Sequence, residues 1–128
     1  MMGIKNAFLQ AIASKPLLEV KVEDYGITCY IGKLSAGERA EILAATRLTD
    51  AEGGNAVSIQ DQMCVTLRAA LREPDGTRAF QATDEDLQVI RDMDGAVVAA
   101  LFEQIVDFNG LSEKAVVEAV KNSDASRN

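Results

Sequence analysis

The sequence predicts a mainly α-helical domain that carries one small β-hairpin near its N-terminus, with an α+β arrangement as the alternative. Apolar residues recur at helical spacing over most of the chain, whereas the strict alternation typical of strands is confined to one region near residue 20. Ser/Thr-x-x-acid sequences mark the starts of three helices. At 128 residues, the chain is long enough for one hydrophobic core, and we expect a single domain over residues 1–123.

The first predicted element is a short amphipathic helix over residues 3–14. Its apolar residues Ile4, Phe8, Leu9 and Ile12 fall on one helical face, and Lys15-Pro16 ends it. A terminal helix of this kind can close the core of its own domain or dock a partner. Both interpretations stay open, and Phe8, Leu9 and Ile12 are our candidate contacts for a partner.

The hairpin is predicted at about residues 18–34, with the turn at Asp24-Tyr25-Gly26. The positions that share its apolar face are Leu18, Val20 and Val22 in the first strand and Ile27, Cys29 and Ile31 in the second. Tyr25 is either a fourth partner contact at the hairpin tip or an aromatic side chain that packs back on the sheet. Two strands alone are marginally stable in water, so they must pack on helices or on another subunit.

Ser35 and Glu38 form a capping box that opens a helix over residues 36–48, followed by a loop over residues 49–55 that contains Gly53-Gly54. A second box, Ser58 with Asp61, opens the next helix. The apolar stripe of that helix comprises Ile59, Met63, Leu67, Ala70 and Leu71. Pro74-Asp75-Gly76 then predicts a turn.

A third box, Thr83 with Asp86, opens a helix that runs to about Asp92, and Asp94-Gly95 marks a break. The segment over residues 96–109 is the most apolar helix, and we expect it to be the central one. Gly110 suits the left-handed position after its end. Ser112 caps a last helix, and residues 124–128 are expected to form a flexible tail.

The composition argues against catalysis and against cofactor binding. The chain has no histidine, which excludes Ser-His-Asp and Cys-His catalysis and histidine-based zinc sites. Its two cysteines, Cys29 and Cys64, are predicted as buried thiols in a reducing compartment. No phosphate-binding loop is present. We therefore predict no enzyme, no cofactor and no metal site.

Two acidic clusters have ordinary structural explanations. Asp84-Glu85-Asp86 could hold a hard cation, but carboxylates at a helix N-terminus stabilise the helix dipole without one. Asp92 and Asp94 could form a catalytic pair, yet they flank the predicted break and are better explained as helix caps.

The net charge is −7 with a pI near 4.5, and aromatic residues make up 5% of the chain with no tryptophan. These values argue against nucleic-acid binding, which needs cationic groups for phosphates and aromatic rings for bases. No secretory signal and no apolar stretch of membrane-spanning length is visible.

Two motifs carry a resemblance to a known family. The hairpin with Tyr25-Gly26 leads into Leu34-Ser35-Ala36-Gly37-Glu38-Arg39, and the chain closes on Asn109-Gly110-Leu111-Ser112-Glu113 and Lys121-Asn122-Ser123. Over about residues 8–123 this order resembles the tail assembly chaperones of long-tailed bacteriophages. The family more often has Trp-Gly where this chain has Tyr25-Gly26.

The resemblance implies a non-enzymatic protein of the host cytoplasm that is absent from the mature virion. It implies that the chain binds the tape measure protein, helps recruit tail tube subunits and forms homo-oligomers. Two alternatives stay open: a structural tail or connector subunit of the virion, and a small acidic regulatory binding module.

Overall fold

A computed structural model describes residues 3–51 and 59–111, and within these ranges the protein has five α-helices and a three-stranded antiparallel sheet. The predicted mainly α class is confirmed. The elements in chain order are α1 (Ile4–Ala13), β1 (Leu17–Val22), β2 (Ile27–Gly32), α2 (Ala36–Ala51), α3 (Ile59–Ala70), β3 (Leu71–Arg72), α4 (Asp84–Arg91) and α5 (Gly95–Phe108).

The predicted hairpin is present, with strands at Leu17–Val22 and Ile27–Gly32. Val20 lies opposite Cys29 and Val22 lies opposite Ile27, so the apolar positions of both strands share one face. A short 3₁₀ turn joins the strands, and Gly26 ends it in the left-handed region with φ of 65°. A residue without a Cβ occupies that region at little cost.

A third strand was not predicted. Leu71, which the sequence placed on the stripe of a helix, instead pairs with Ile31 of β2, and Arg72 pairs with Tyr30. The reason lies in the next residues: the turn at Asp75 and Gly76 reverses the chain, and the Ala79 N–H donates to the Leu71 carbonyl. Leu71 therefore belongs to a short antiparallel strand. Helix α3 ends at Ala70, one residue before the end of the predicted stripe.

Among the helices that the structure describes, α3 is the most buried and α5 is not, so the prediction of α5 as the central helix was wrong. Residues 64–72 are buried without interruption, and α3 packs against α2, α4 and α5. Helix α5 buries only one face, with Phe102 and Phe108 half-exposed. The sequence pattern hid this because the buried run contains the polar residues Thr66 and Arg68.

Two of the predicted caps are present in full. The Ser35 N–H donates to Glu38 Oε1 at 2.9 Å, and the Glu38 N–H donates back to Ser35 Oγ at 3.0 Å. Asp94 caps α5 by accepting from the Ala96 N–H. The first cap sets the start of α2 after β2, and the second sets the start of α5 after α4.

The box at the start of α4 is made differently. Thr83 Oγ1 accepts from the Asp86 N–H as predicted, but the Asp86 carboxylate accepts from the Gln81 N–H at 2.6 Å. Asp92 ends α4 as its C-cap.

Helix α2 continues to Ala51, so residues 49–51 are helical and not part of a loop. The remaining loop residues, Ser58 of the second box, the last helix from Ser112 and the tail at residues 124–128 lie outside the described residues. Among the helices that are described, none combines the length and the apolar character needed to cross a bilayer.

Candidate interaction surface

A buried ion pair ties the start of α2 to strand β3. Arg72 Nη2 donates to both carboxylate oxygens of Glu38 at 2.8 Å, and the two side chains are 8% and 11% exposed. Arg72 Nη1 also donates to the Ala69 carbonyl. Glu38 thus caps α2 and binds a guanidinium with the same carboxylate, a double role that holds its position firmly.

A second ion pair lies one turn further along α2. Arg78 donates through both terminal nitrogens to the Glu41 carboxylate, at 2.9 and 3.2 Å. Arg78 also donates to the carbonyls of Arg68 and Phe80. This forked geometry is the strongest arrangement available to an arginine and a carboxylate. Both glutamates of the α2 face are therefore committed to arginines of the β3 region.

The two ion pairs form one cluster with Arg68, which lies in α3. Its Nη1 donates to the Thr83 carbonyl at 3.0 Å, and its Nε lies 3.6 Å from a Glu41 carboxylate oxygen, too far for a hydrogen bond. Arg68 is 7% exposed. It links three elements, α2, α3 and the segment before α4, through one side chain.

Gly32 makes room for Arg72 on the sheet. A Cβ at Gly32 would lie 2.7 Å from Arg72 Nε and 2.9 Å from Arg72 Cγ. Both distances are shorter than nonbonded atoms tolerate. The guanidinium can reach Glu38 only because the last residue of β2 has no side chain.

Asn109 joins the end of α5 to the segment between β2 and α2. Its Oδ1 accepts from the Leu34 N–H at 2.7 Å, and its Nδ2 donates to the carbonyls of Gly32 and Ile105. Arg39 Nη2 reaches the Asn109 carbonyl at 3.4 Å. The Leu34–Arg39 and Asn109–Leu111 motifs, about 75 residues apart, therefore meet at one junction.

Lys33 reinforces the same junction. Its ammonium lies 4.1 Å from the centre of the Phe108 ring and also donates to the Phe108 carbonyl at the end of α5. A cation at this place interacts favourably with both the ring face and the helix C-terminus.

The electrostatics of Glu38 follow from this surrounding structure. Burial on its own raises the pKa of the Glu38 carboxyl, but the Ser35 hydrogen bonds and the Arg72 charge outweigh it, and the pKa falls below its ordinary value. Each charged group at the junction already has a partner within the fold. The cluster is suited to holding elements together. A cleft of about 480 Å³ beside it is lined by Glu38, Arg72 and Arg78 and also by residues at the end of α1, including Ile12 and Lys15.

Sequence reasoning missed this cluster, apart from the Ser35–Glu38 box. Arginines usually lie at the surface, so nothing in the local pattern marks Arg68 and Arg72 as buried. The one available signal was the Pro74-Asp75-Gly76 turn, which can return a strand alongside its neighbour.

The predicted contact residues of α1 form an exposed apolar stripe. Phe8 is 64%, Leu9 53% and Ile12 57% exposed, and Ile4 is 78% exposed. No residue of α1 is buried. These four side chains lie together on one helix. None of them belongs to the hydrophobic core that the described residues form.

Tyr25 lies at the opposite end of β1 from α1, at the hairpin turn. Its phenolic oxygen accepts from the Asp94 N–H at 2.8 Å, and the side chain is 44% exposed. Its ring lines a small apolar cavity of about 80 Å³ together with Met93 and Val97. Tyr25 thus anchors the hairpin to the start of α5 while part of its ring faces solvent.

Both cysteines are free thiols. Cys64 is buried and Cys29 is half-buried, and burial raises the pKa of each thiol. Raised pKa values keep them protonated and poorly reactive. Among residues 3–51 and 59–111, no three His, Cys, Asp or Glu side chains lie close enough together to hold a metal ion.

No protein-family model matches the sequence, and a search of curated proteins finds no match. A search of solved structures finds the bacteriophage HK97 tail assembly chaperone, with a TM-score of 0.52 and 15% sequence identity. The likeness covers 81% of this chain and 94% of that chain. It shows a shared fold at low sequence identity.

Proposed function

We propose that this protein is a phage tail assembly chaperone that binds the tape measure protein and helps recruit tail tube subunits. The observation that carries the proposal is the fold shared with the HK97 tail assembly chaperone. The sequence motifs that resemble the same family support it, because Leu34–Arg39 and Asn109–Leu111 meet at the Asn109 junction.

The apolar stripe of α1 supports a role in binding an apolar client. Four large apolar side chains on one ten-residue helix stay in contact with water, which costs free energy unless a partner covers them. We propose Phe8, Leu9 and Ile12 as contacts for the tape measure protein. The net charge of −7 supports solubility while such a surface is open.

The role we propose is a binding role without catalysis, exercised in the host cytoplasm and completed before the virion is mature. Self-association belongs to the same proposal.

Co-expression tests the proposal directly. The tape measure protein encoded by the same genome would be produced alone and together with this protein. We expect it to be insoluble alone, and to be soluble and co-purified in the joint expression. A tape measure protein that stays insoluble with abundant folded chaperone candidate would overturn the proposal.

Purified particles provide the second measurement. A tail assembly chaperone is absent from mature virions, whereas a structural tail subunit is present in them at fixed stoichiometry. Mass spectrometry of purified virions should therefore detect tube and tape measure peptides and none of this chain.

A further inference from the structure

We infer that two copies of this chain pair through the outer edges of their β1 strands, antiparallel and centred on Val20. Strand order in the sheet is β1-β2-β3, so β1 has a neighbour on one side only within residues 3–51 and 59–111. Its other edge presents backbone N–H and C=O groups that can pair with another strand. Pairing would produce one six-stranded antiparallel sheet.

The charges on β1 are the first argument for a second copy as the occupant. Glu19 and Lys21 are exposed and point to the same face of the strand, away from the core. Inside the hairpin they lie opposite Tyr30 and Thr28, which carry no charge. Neither forms an ion pair with any part of the chain that the structure describes.

The register provides the second argument. In an antiparallel pair centred on Val20, Glu19 of each copy lies opposite Lys21 of the other, which gives two opposite-charge pairs by symmetry. A shift by two residues places Lys21 opposite Lys21, or Glu19 opposite Glu19. A shift by one residue turns the charged residues toward the apolar face. The sequence of β1 thus favours one register over its neighbours.

The apolar face is compatible with the same register. Leu18 of one copy lies opposite Val22 of the other, and Val20 lies opposite Val20. The helix-covered face of the sheet therefore continues across the interface between the two copies. A lone lysine on an edge strand normally discourages pairing. Combined with Glu19 at a spacing of two, Lys21 instead favours the register centred on Val20 over the other registers that stay within β1.

This pairing uses the backbone of β1 and not the apolar stripe of α1. Client binding and self-association can therefore occur on different surfaces of the same protomer. The pairing rests on the self-association in the proposed function but not on client binding. It is measured on the isolated protein, so its failure would leave the proposed client binding to its own test.

Charge exchange on β1 tests the inference. Glu19→Lys gives two lysines on each edge, and Lys21→Glu gives two glutamates, so each variant should self-associate on the order of tenfold more weakly than the parent protein. An equimolar mixture of the two variants should recover the affinity, because each lysine then faces a glutamate. The double exchange, Glu19→Lys with Lys21→Glu, should recover it within one chain.

Sedimentation velocity over a range of concentrations measures these affinities. Glu103→Lys, an exposed site on α5 with the same charge change, is the matched control and should associate like the parent. Circular dichroism checks that each variant is folded, since all the substituted residues are exposed. A monomeric parent, single variants that match the control, or a mixture without recovery would each overturn the inference.

Discussion

Glu38 and Arg72 join helix α2 to strand β3 through a single guanidinium nitrogen that donates to both carboxylate oxygens at 2.8 Å. The same carboxylate accepts the Ser35 N–H at the start of α2. The helix cap therefore orients the carboxylate, and the carboxylate in turn fixes an arginine that lies across Gly32. A local motif and a contact over 34 residues share one side chain.

Replacing Glu38 by alanine should be strongly destabilising. It removes the cap and leaves the buried Arg72 charge without its carboxylate, and breaking a buried ion pair from one side costs about 3–5 kcal/mol. Glu38→Gln keeps an oxygen for the Ser35 N–H. Its free energy of unfolding should therefore fall by about 1 kcal/mol less than that of Glu38→Ala. Urea unfolding measures both. Glu103→Ala, exposed on α5, is the control and should change the free energy of unfolding by less than about 0.5 kcal/mol.

The stability of the protein should depend on Glu38 in the acid range. The pKa of Glu38 in the folded protein is below its ordinary value of 4.5, so the charged carboxylate contributes fully above that value and is lost as the pH falls through the lowered pKa. The difference in unfolding free energy between the parent and Glu38→Gln should therefore shrink from neutral pH toward about pH 3. A difference that stays constant over this range would contradict the assignment.

Gly32→Ala should destabilise the protein by about 1–3 kcal/mol, because the new methyl group would collide with an arginine that hydrogen bonds hold in place. Gly37→Ala is the matched control. The nearest atom to a Cβ at Gly37 is 3.8 Å away, and alanine in the first turn of α2 should be neutral or stabilise by up to about 1 kcal/mol. Gly32→Ala should lower the melting temperature, whereas Gly37→Ala should leave it unchanged or raise it.

Asn109→Ala should cost about 1–3 kcal/mol, because the Leu34 N–H loses its acceptor in a part-buried place. Hydrogen exchange at Leu34 should accelerate more than exchange in α4, because the hydrogen bonds of the Asn109 side chain go to Gly32, Leu34 and Ile105. Asn109→Asp keeps the accepting oxygen but places a carboxylate oxygen against the carbonyls of Gly32 and Ile105 at the end of α5, so at neutral pH it should destabilise the protein at least as much as Asn109→Ala. Equal exchange rates in parent and Asn109→Ala would show that another group accepts this hydrogen bond.

Changing Phe8 and Leu9 to serine should abolish co-purification of the tape measure protein while the unfolding free energy changes by less than about 1 kcal/mol. Both side chains are more than half exposed and contribute little to the core. Leu67→Ala is the contrasting control, since Leu67 is fully buried and its truncation should cost about 2–5 kcal/mol. Retained co-purification by the serine variant would move the client contact away from α1.

The features that the sequence predicted are those set by residues close together in the chain. The shared apolar face of the hairpin follows from alternation over six residues, and the Ser35–Glu38 box follows from a spacing of three. The left-handed Gly110, with φ of 68°, follows from its place after the end of α5. In each case the governing interaction is local, so the pattern contains the necessary information.

The features that were missed depend on contacts across the fold. Strand β3 has two residues, too few for a detectable alternation, and it exists because β2 accepts it. Arg72 is buried because Gly32 and Glu38 receive it from elsewhere in the chain. The choice of α3 over α5 as the central helix was likewise decided by which helices surround it.

Helix α1 has ten residues and buries none of them, which affects how tightly it can hold a client. A helix this short is marginally stable by itself in water, because the unfavourable free energy of nucleation offsets most of the stabilisation from its few hydrogen bonds. Any partner must therefore supply the free energy that orders the segment, and that amount is subtracted from the affinity. Such a contact can be specific and still dissociate readily. For a protein proposed to leave before the virion is finished, a moderate affinity of this origin would make release possible without an energy source.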